Sequence, residues 1–70
     1  MNIAFLGGGN MASALIGGLL AKGFAGDAIS VVELVPGARA KLAERYRVRV
    51  SEAPDAATFA ADTLLLAVKP

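Results

Sequence analysis

A short apolar run, Ile3-Ala4-Phe5-Leu6, breaks into three consecutive glycines, and an amphipathic segment resumes at Asn10. Few features restrict a fold as tightly. A buried strand that ends in glycines and passes directly into a helix fixes two element types, their order and the tight turn between them.

The rest of the chain repeats that alternation. Asn2 to Leu6 reads as the first strand and Asn10 to Lys22 as the first helix. Met11, Leu15 and Leu19 recur along the helix at one-turn spacing, and Ala12, Ile16 and Leu20 widen the apolar face. Gly23 is positioned to end it. After a connection through Ala25 to Ala28, Ile29 to Glu33 reads as a second strand. Pro36 sits where a helix can begin, and Ala38, Leu42 and Tyr46 mark the packed side of that helix. Arg47 to Val50 alternates charged and apolar residues, as a short edge-like strand does. Ser51 to Ala61 holds a short helix with Pro54 near its start and Phe59 as its anchor. Thr63 to Val68 is nearly all apolar and reads as a strand covered on both faces. The order β-α-β-α-β-α-β implies an α/β fold with a Rossmann-like parallel sheet, built as a three-layer αβα sandwich. It reads as truncated, because a complete doubly wound domain needs further elements after Pro70.

Composition removes several function classes. The chain has no cysteine, so neither disulfides nor thiolate chemistry enter. It has no histidine either, which argues against a transition-metal site and removes the usual imidazole acid–base catalyst. No metal site and no catalytic residue are expected within these residues. The formal charge is +1. Arg39, Lys41, Arg45, Arg47 and Arg49 cluster, but without interleaved aromatics to stack bases, so a nucleic-acid partner is not expected. No stretch is long and apolar enough to span a bilayer, and none has the basic start of a secretory signal. Cytoplasmic residence without a membrane partner is the default expectation.

The glycine turn carries the chemistry. Gly7, Gly9 and Ala12 fit the pattern G-x-G-x-x-(G/A) for dinucleotide binding. Gly7 lets the strand turn tightly. Gly9, without a side chain, lets the backbone approach a pyrophosphate, and Ala12 keeps the first helical turn close to the sheet. Backbone N–H groups at the positive end of the helix dipole then receive the phosphates. Gly8 is not demanded by the pattern. A mononucleotide P-loop is disfavoured, because no lysine followed by serine or threonine closes the turn. The plain alternative is that the glycines serve only the turn.

Glu33 ends the second strand about 20 residues beyond the helix start, where an acidic residue accepts hydrogen bonds from the adenine ribose. There it would repel a 2′-phosphate, which favours NAD over NADP. Arg39, near the start of the second helix, is a candidate partner for such a phosphate and keeps NADP open. A solvated carboxylate at a strand end is the alternative. Lys69-Pro70 leaves the last strand at the carboxyl edge of the sheet, where ligands of open α/β folds bind. Lys69 is a candidate contact for ribose, phosphate or a substrate carboxylate, or a basic loop residue whose backbone matters more than its charge.

Three segments together are more specific than the glycine pattern. Gly7-Gly8-Gly9-Asn10-Met11-Ala12, the run Ala14-Leu15-Ile16-Gly17-Gly18-Leu19 and the closing Ala61-Asp62 through Val68-Lys69-Pro70 resemble the N-terminal portion of pyrroline-5-carboxylate reductases. The resemblance implies hydride transfer from NAD(P)H to 1-pyrroline-5-carboxylate, giving L-proline. It implies Gly7 to Ala12 at the pyrophosphate, with Asn10 and Met11 lining the cleft largely by main-chain contacts. It also implies Val68, Lys69 and Pro70 beside the nicotinamide riboside. Residues 1–70 would then form the N-terminal part of the cofactor domain. A helical domain elsewhere would complete the substrate pocket and build a homo-oligomer. The family often uses NADPH, and Glu33-Leu34 departs from the small polar or basic residues that many members carry there. A different dehydrogenase of the β-hydroxyacid type, or a dinucleotide-binding regulatory module without catalysis, are the competing readings.

Overall fold

The computed structural model describes residues 1–67. Four parallel strands form one sheet: β1 (Ile3–Leu6), β2 (Ile29–Val32), β3 (Arg49–Ser51) and β4 (Thr63–Leu66). Their spatial order is β3-β2-β1-β4. The chain therefore steps outward from β1 to β3, then returns to the other side of β1. Register is set by the pairs Phe5–Val31 and Phe5–Leu65 across the middle of the sheet. At the base of β4 the Asp62 carboxylate accepts the Asn2 N–H at 2.8 Å, and the Asp62 N–H returns to the Asn2 carbonyl. The two strands are clamped there before their ladder begins.

Helix α1 spans Asn10–Ala21 and α2 spans Pro36–Tyr46. Both lie on the face that carries Ile3, Phe5, Ile29 and Val31, and the core forms between them. Phe5, Ile16, Ile29 and Val31 are fully buried, each contributing about 1.5–3 kcal/mol of apolar burial. As the sequence suggests, α2 packs through Leu42, with Ala38 and Tyr46 half-buried beside it. Gly17 of α1 faces the Tyr46 ring, 3.6 Å from where its Cβ would be, and the Ser13 and Tyr46 hydroxyls share a 2.8 Å hydrogen bond. Helix α1 ends in a Schellman arrangement. Gly23, at φ 99°, donates to the Leu20 carbonyl and Phe24 to the Leu19 carbonyl.

Several sequence expectations are corrected. The buried stripe of α1 is Ala12 and Ile16, with Leu19 and Leu20 partly buried, whereas Met11 is 69% exposed and Leu15 46%. Two apolar stripes lie side by side on this helix, and only contact with the sheet selects one. The connection after α1 contains a single 3-10 turn, Gly26–Ala28. The third helix, α3, is one turn, Ala56–Phe59, capped by Asp55 and Thr58 in a reciprocal capping box. Its buried residue is Thr58, not Phe59, which is 80% exposed.

Among the described residues, strand β4 is not covered on both faces. Leu64 and Leu66 are 50% and 71% exposed. They share a face with Ala4 and Leu6. Among the described residues that face is roofed only by the short α3, which contacts β1 and β2. Helical structure thus flanks both sides of the sheet, but the second outer layer is a single turn. No helix among the described residues is long and apolar enough to cross a membrane.

Candidate functional site: the glycine turn at the sheet switch point

Strand order reverses at β1, whose neighbours are β2 and β4. A crevice opens at the carboxyl ends of the strands at such a reversal. Gly7 stands there with φ 96°, a backbone conformation that a residue with a Cβ adopts only under strain. Its N–H donates to the Val32 carbonyl at 2.8 Å, and the Ala67 N–H donates to the Leu6 carbonyl at 2.8 Å. The ladder therefore extends one step past the strands and holds the turn against both neighbours.

Gly9 is the N-cap of α1, with φ −75° and ψ −168° and no side-chain cap. The N–H groups of Asn10, Met11 and Ala12 open the helix, where no earlier helical carbonyl can accept them. Ala12 is fully buried against the sheet. Each glycine of the turn is glycine for a different reason. Gly7 needs its torsion. Among the described residues a Cβ on Gly9 would meet nothing within 4 Å, and its torsions are open to any residue, so no described residue excludes a side chain there. The space a side chain would take lies over the helix N-terminus.

Gly8 is the residue that the sequence pattern misses. A Cβ there would lie 2.5 Å from Leu42 Cδ1 and 3.0 Å from Glu33 Oε1. The uninterrupted run of three glycines is the signal that could have found it.

Glu33 follows β2 directly and turns its carboxylate back over the glycine turn. Oε1 accepts the Gly8 N–H at 2.7 Å and Oε2 accepts the Val35 N–H at 2.9 Å. Its own N–H donates to the Ser51 carbonyl at 2.9 Å. The Val35 N–H lowers the Glu33 pKa most, helped by the Gly8 N–H and opposed by partial burial. Arg39 comes to the same place, but its Nη1 donates to the Glu33 carbonyl at 3.0 Å.

These residues border a cleft of about 580 Å³, within the range of small-molecule and cofactor sites. Gly7, Gly8, Gly9 and Glu33 form its floor. Leu34 and Val35 lie on one side, and Ala53 and Pro54 on another. Asn10 is exposed next to Gly9 at the helix start, as is Met11. Val68, Lys69 and Pro70 lie outside the described residues. No group of three or more potential metal ligands is found among the described residues.

A parallel sheet with this strand order, a glycine turn at its reversal and an acidic residue closing β2 is a Rossmann-like domain of the NAD(P) oxidoreductase class. The chain belongs to the family described as NADP oxidoreductase, coenzyme F420-dependent, which it matches over residues 2–70.

Known proteins similar to it agree with one another. It is 46% identical over 70 residues to the pyrroline-5-carboxylate reductase of Pseudomonas aeruginosa, with 97% of this chain and 25% of the relative covered. It is 44% identical over 68 residues to the enzyme of that name from Haemophilus influenzae, with the same two coverages. The solved structure of a pyrroline-5-carboxylate reductase from Coxiella burnetii superposes with a TM-score of 0.91 at 35% identity, covering 99% of this chain and 26% of that one. The resemblance read from the sequence is therefore upheld. The chain spans about a quarter of the length of the relatives it matches.

Proposed function

We propose that this chain is the N-terminal cofactor-binding portion of an enzyme that reduces 1-pyrroline-5-carboxylate to L-proline. The single observation that carries the cofactor site is Gly9. It is a glycine that no described residue crowds, at a helix N-terminus without a side-chain cap, over a cleft of suitable size. The similarity to named pyrroline-5-carboxylate reductases supports the substrate.

A bound NAD(P)H supplies the hydride, so the work of this chain's residues is binding and orientation. Gly7 shapes the turn. Gly9, Asn10, Met11 and Ala12 present main-chain N–H groups to the pyrophosphate at the positive end of α1. Leu34 and Val35 give the adenine an apolar wall. Glu33 accepts the adenine ribose hydroxyls. A carboxylate has about four lone-pair positions, and two are taken by Gly8 and Val35, which leaves two for the diol. That anchored charge disfavours a 2′-phosphate, so NADH is the better-suited cofactor. Arg39 gives one of its five guanidinium N–H donors to the Glu33 carbonyl, which holds it beside that carboxylate. Val68, Lys69 and Pro70 lie beside the nicotinamide riboside in this reading. A helical domain beyond residues 1–70 completes the imino-acid pocket and the oligomer.

The test is to supply the intact protein with 1-pyrroline-5-carboxylate and follow oxidation of NADH and NADPH separately. Oxidation of either above background is expected, with NADH preferred. No oxidation of either overturns the reductase assignment. A preference for NADPH above about tenfold, or ~1.4 kcal/mol, overturns the reading of Glu33.

A further inference from the structure

Glu33 is held at every polar atom it has. Its N–H reaches Ser51, its carbonyl receives Arg39, and its two carboxylate oxygens take N–H groups from two separate segments. One of those segments is the glycine turn after β1. The other is the junction between β2 and α2. Glycine at residue 8 leaves the contact room, since a Cβ there would lie 3.0 Å from the same carboxylate oxygen. A residue that only received a ribose would need neither backbone contact.

We infer that Glu33 is a positioning residue for the glycine turn, so that pyrophosphate binding and choice of cofactor depend on one side chain. This rests on the proposed dinucleotide site and deepens it. The Gly8 N–H is adjacent to the segment that receives the phosphates, and its hydrogen bond to a fixed anion sets the path of the chain into Gly9 and Asn10. Removing the carboxylate removes the repulsion toward a 2′-phosphate, yet it also releases Gly8. Substitution at position 33 therefore does not convert the site to NADPH. It weakens binding of both cofactors.

The discriminating probe is reduced nicotinamide mononucleotide, which carries a phosphate for the turn and no adenine ribose. Binding of NADH, NADPH and the mononucleotide is measured on the intact protein, wild type and with Glu33→Ala or Glu33→Gln. Glu33→Ala is expected to weaken the mononucleotide about tenfold, the scale of one charge-assisted hydrogen bond. Glu33→Gln keeps one acceptor oxygen for two N–H groups, and is expected to lose less. The Gly8 amide resonance reads the contact directly and is expected to move upfield in both variants. Three results overturn the inference: unchanged mononucleotide affinity in both variants, a gain of NADPH affinity without that loss, or an unmoved Gly8 amide. A wild-type protein that binds none of the three ligands instead refutes the dinucleotide site itself, and the coupling falls with it. That failure is distinguishable because it is already present before any substitution.

Discussion

A methyl group placed on Gly8 probes the packing beneath the glycine turn. Gly8 is not among the described residues with positive φ, so Gly8→Ala adds no torsional strain and its effect is steric. The new Cβ would lie 2.5 Å from Leu42 Cδ1, against an ordinary carbon separation of about 3.5–4.0 Å. Leu42 is only 4% exposed and sits in the core with Ile16 and Val31, so its side chain has little room to retreat. Overpacking of this kind costs about 1–3 kcal/mol. The same methyl lies 3.0 Å from Glu33 Oε1 and disturbs the hydrogen bond from Gly8, so cofactor affinity falls together with stability. Urea unfolding and NADH titration of the intact protein measure the two effects. Leu42→Ala alone costs about 2–5 kcal/mol. In the double variant the smaller residue at 42 makes room, so the cost is expected to be at least about 1 kcal/mol below the sum. A Gly8→Ala protein as stable and as tight-binding as wild type, or strict additivity in the cycle, refutes the steric argument.

Gly7→Ala and Gly9→Ala are expected to separate folding from binding. The first forces a Cβ into φ 96° and costs about 1 kcal/mol or more of stability. The second alters stability by less than about 1 kcal/mol but weakens NADH binding, and unfolding curves read beside titrations check the pair. Asp55→Ala removes the cap of α3 and is expected to lower stability by about 1 kcal/mol without changing cofactor affinity. The folded-state pKa of Glu33 is lowered, so its stabilising contribution is present above the unfolded value of about 4.3 and is lost as pH falls through the lower folded value. Acid unfolding of wild type is therefore expected to be steeper below about pH 4 than that of Glu33→Gln, and identical profiles would contradict this.

The element order and the position of the turn were legible because both are local. Strands and helices announce themselves by period and by the glycines and prolines between them. Glu33 was legible as an acidic residue at a strand end, and Ala38, Leu42 and Tyr46 as one helical face. The misreadings share a cause. Met11 and Leu15 are as apolar as Ala12 and Ile16, and periodicity has no means to choose between adjacent stripes. Leu64, Leu66 and Phe59 look like core residues, but burial depends on what covers a face, and among the described residues little covers theirs.

Sequence by itself therefore determined a parallel α/β arrangement with a glycine turn at the head of its first helix, because backbone torsion and side-chain period are properties of neighbouring residues. Only the tertiary structure decided what surrounds each glycine. The crowding of Gly8 by Leu42 and Glu33 arises where segments 25 or more residues apart in sequence meet, and no described residue comes within 4 Å of a Cβ on Gly9. The anchoring of Glu33 to Gly8 comes from the same meeting. Its carboxylate is fixed by the Gly8 and Val35 N–H groups; Val35 is a near neighbour in sequence, but only packing of β2 beside the turn brings Gly8 within reach.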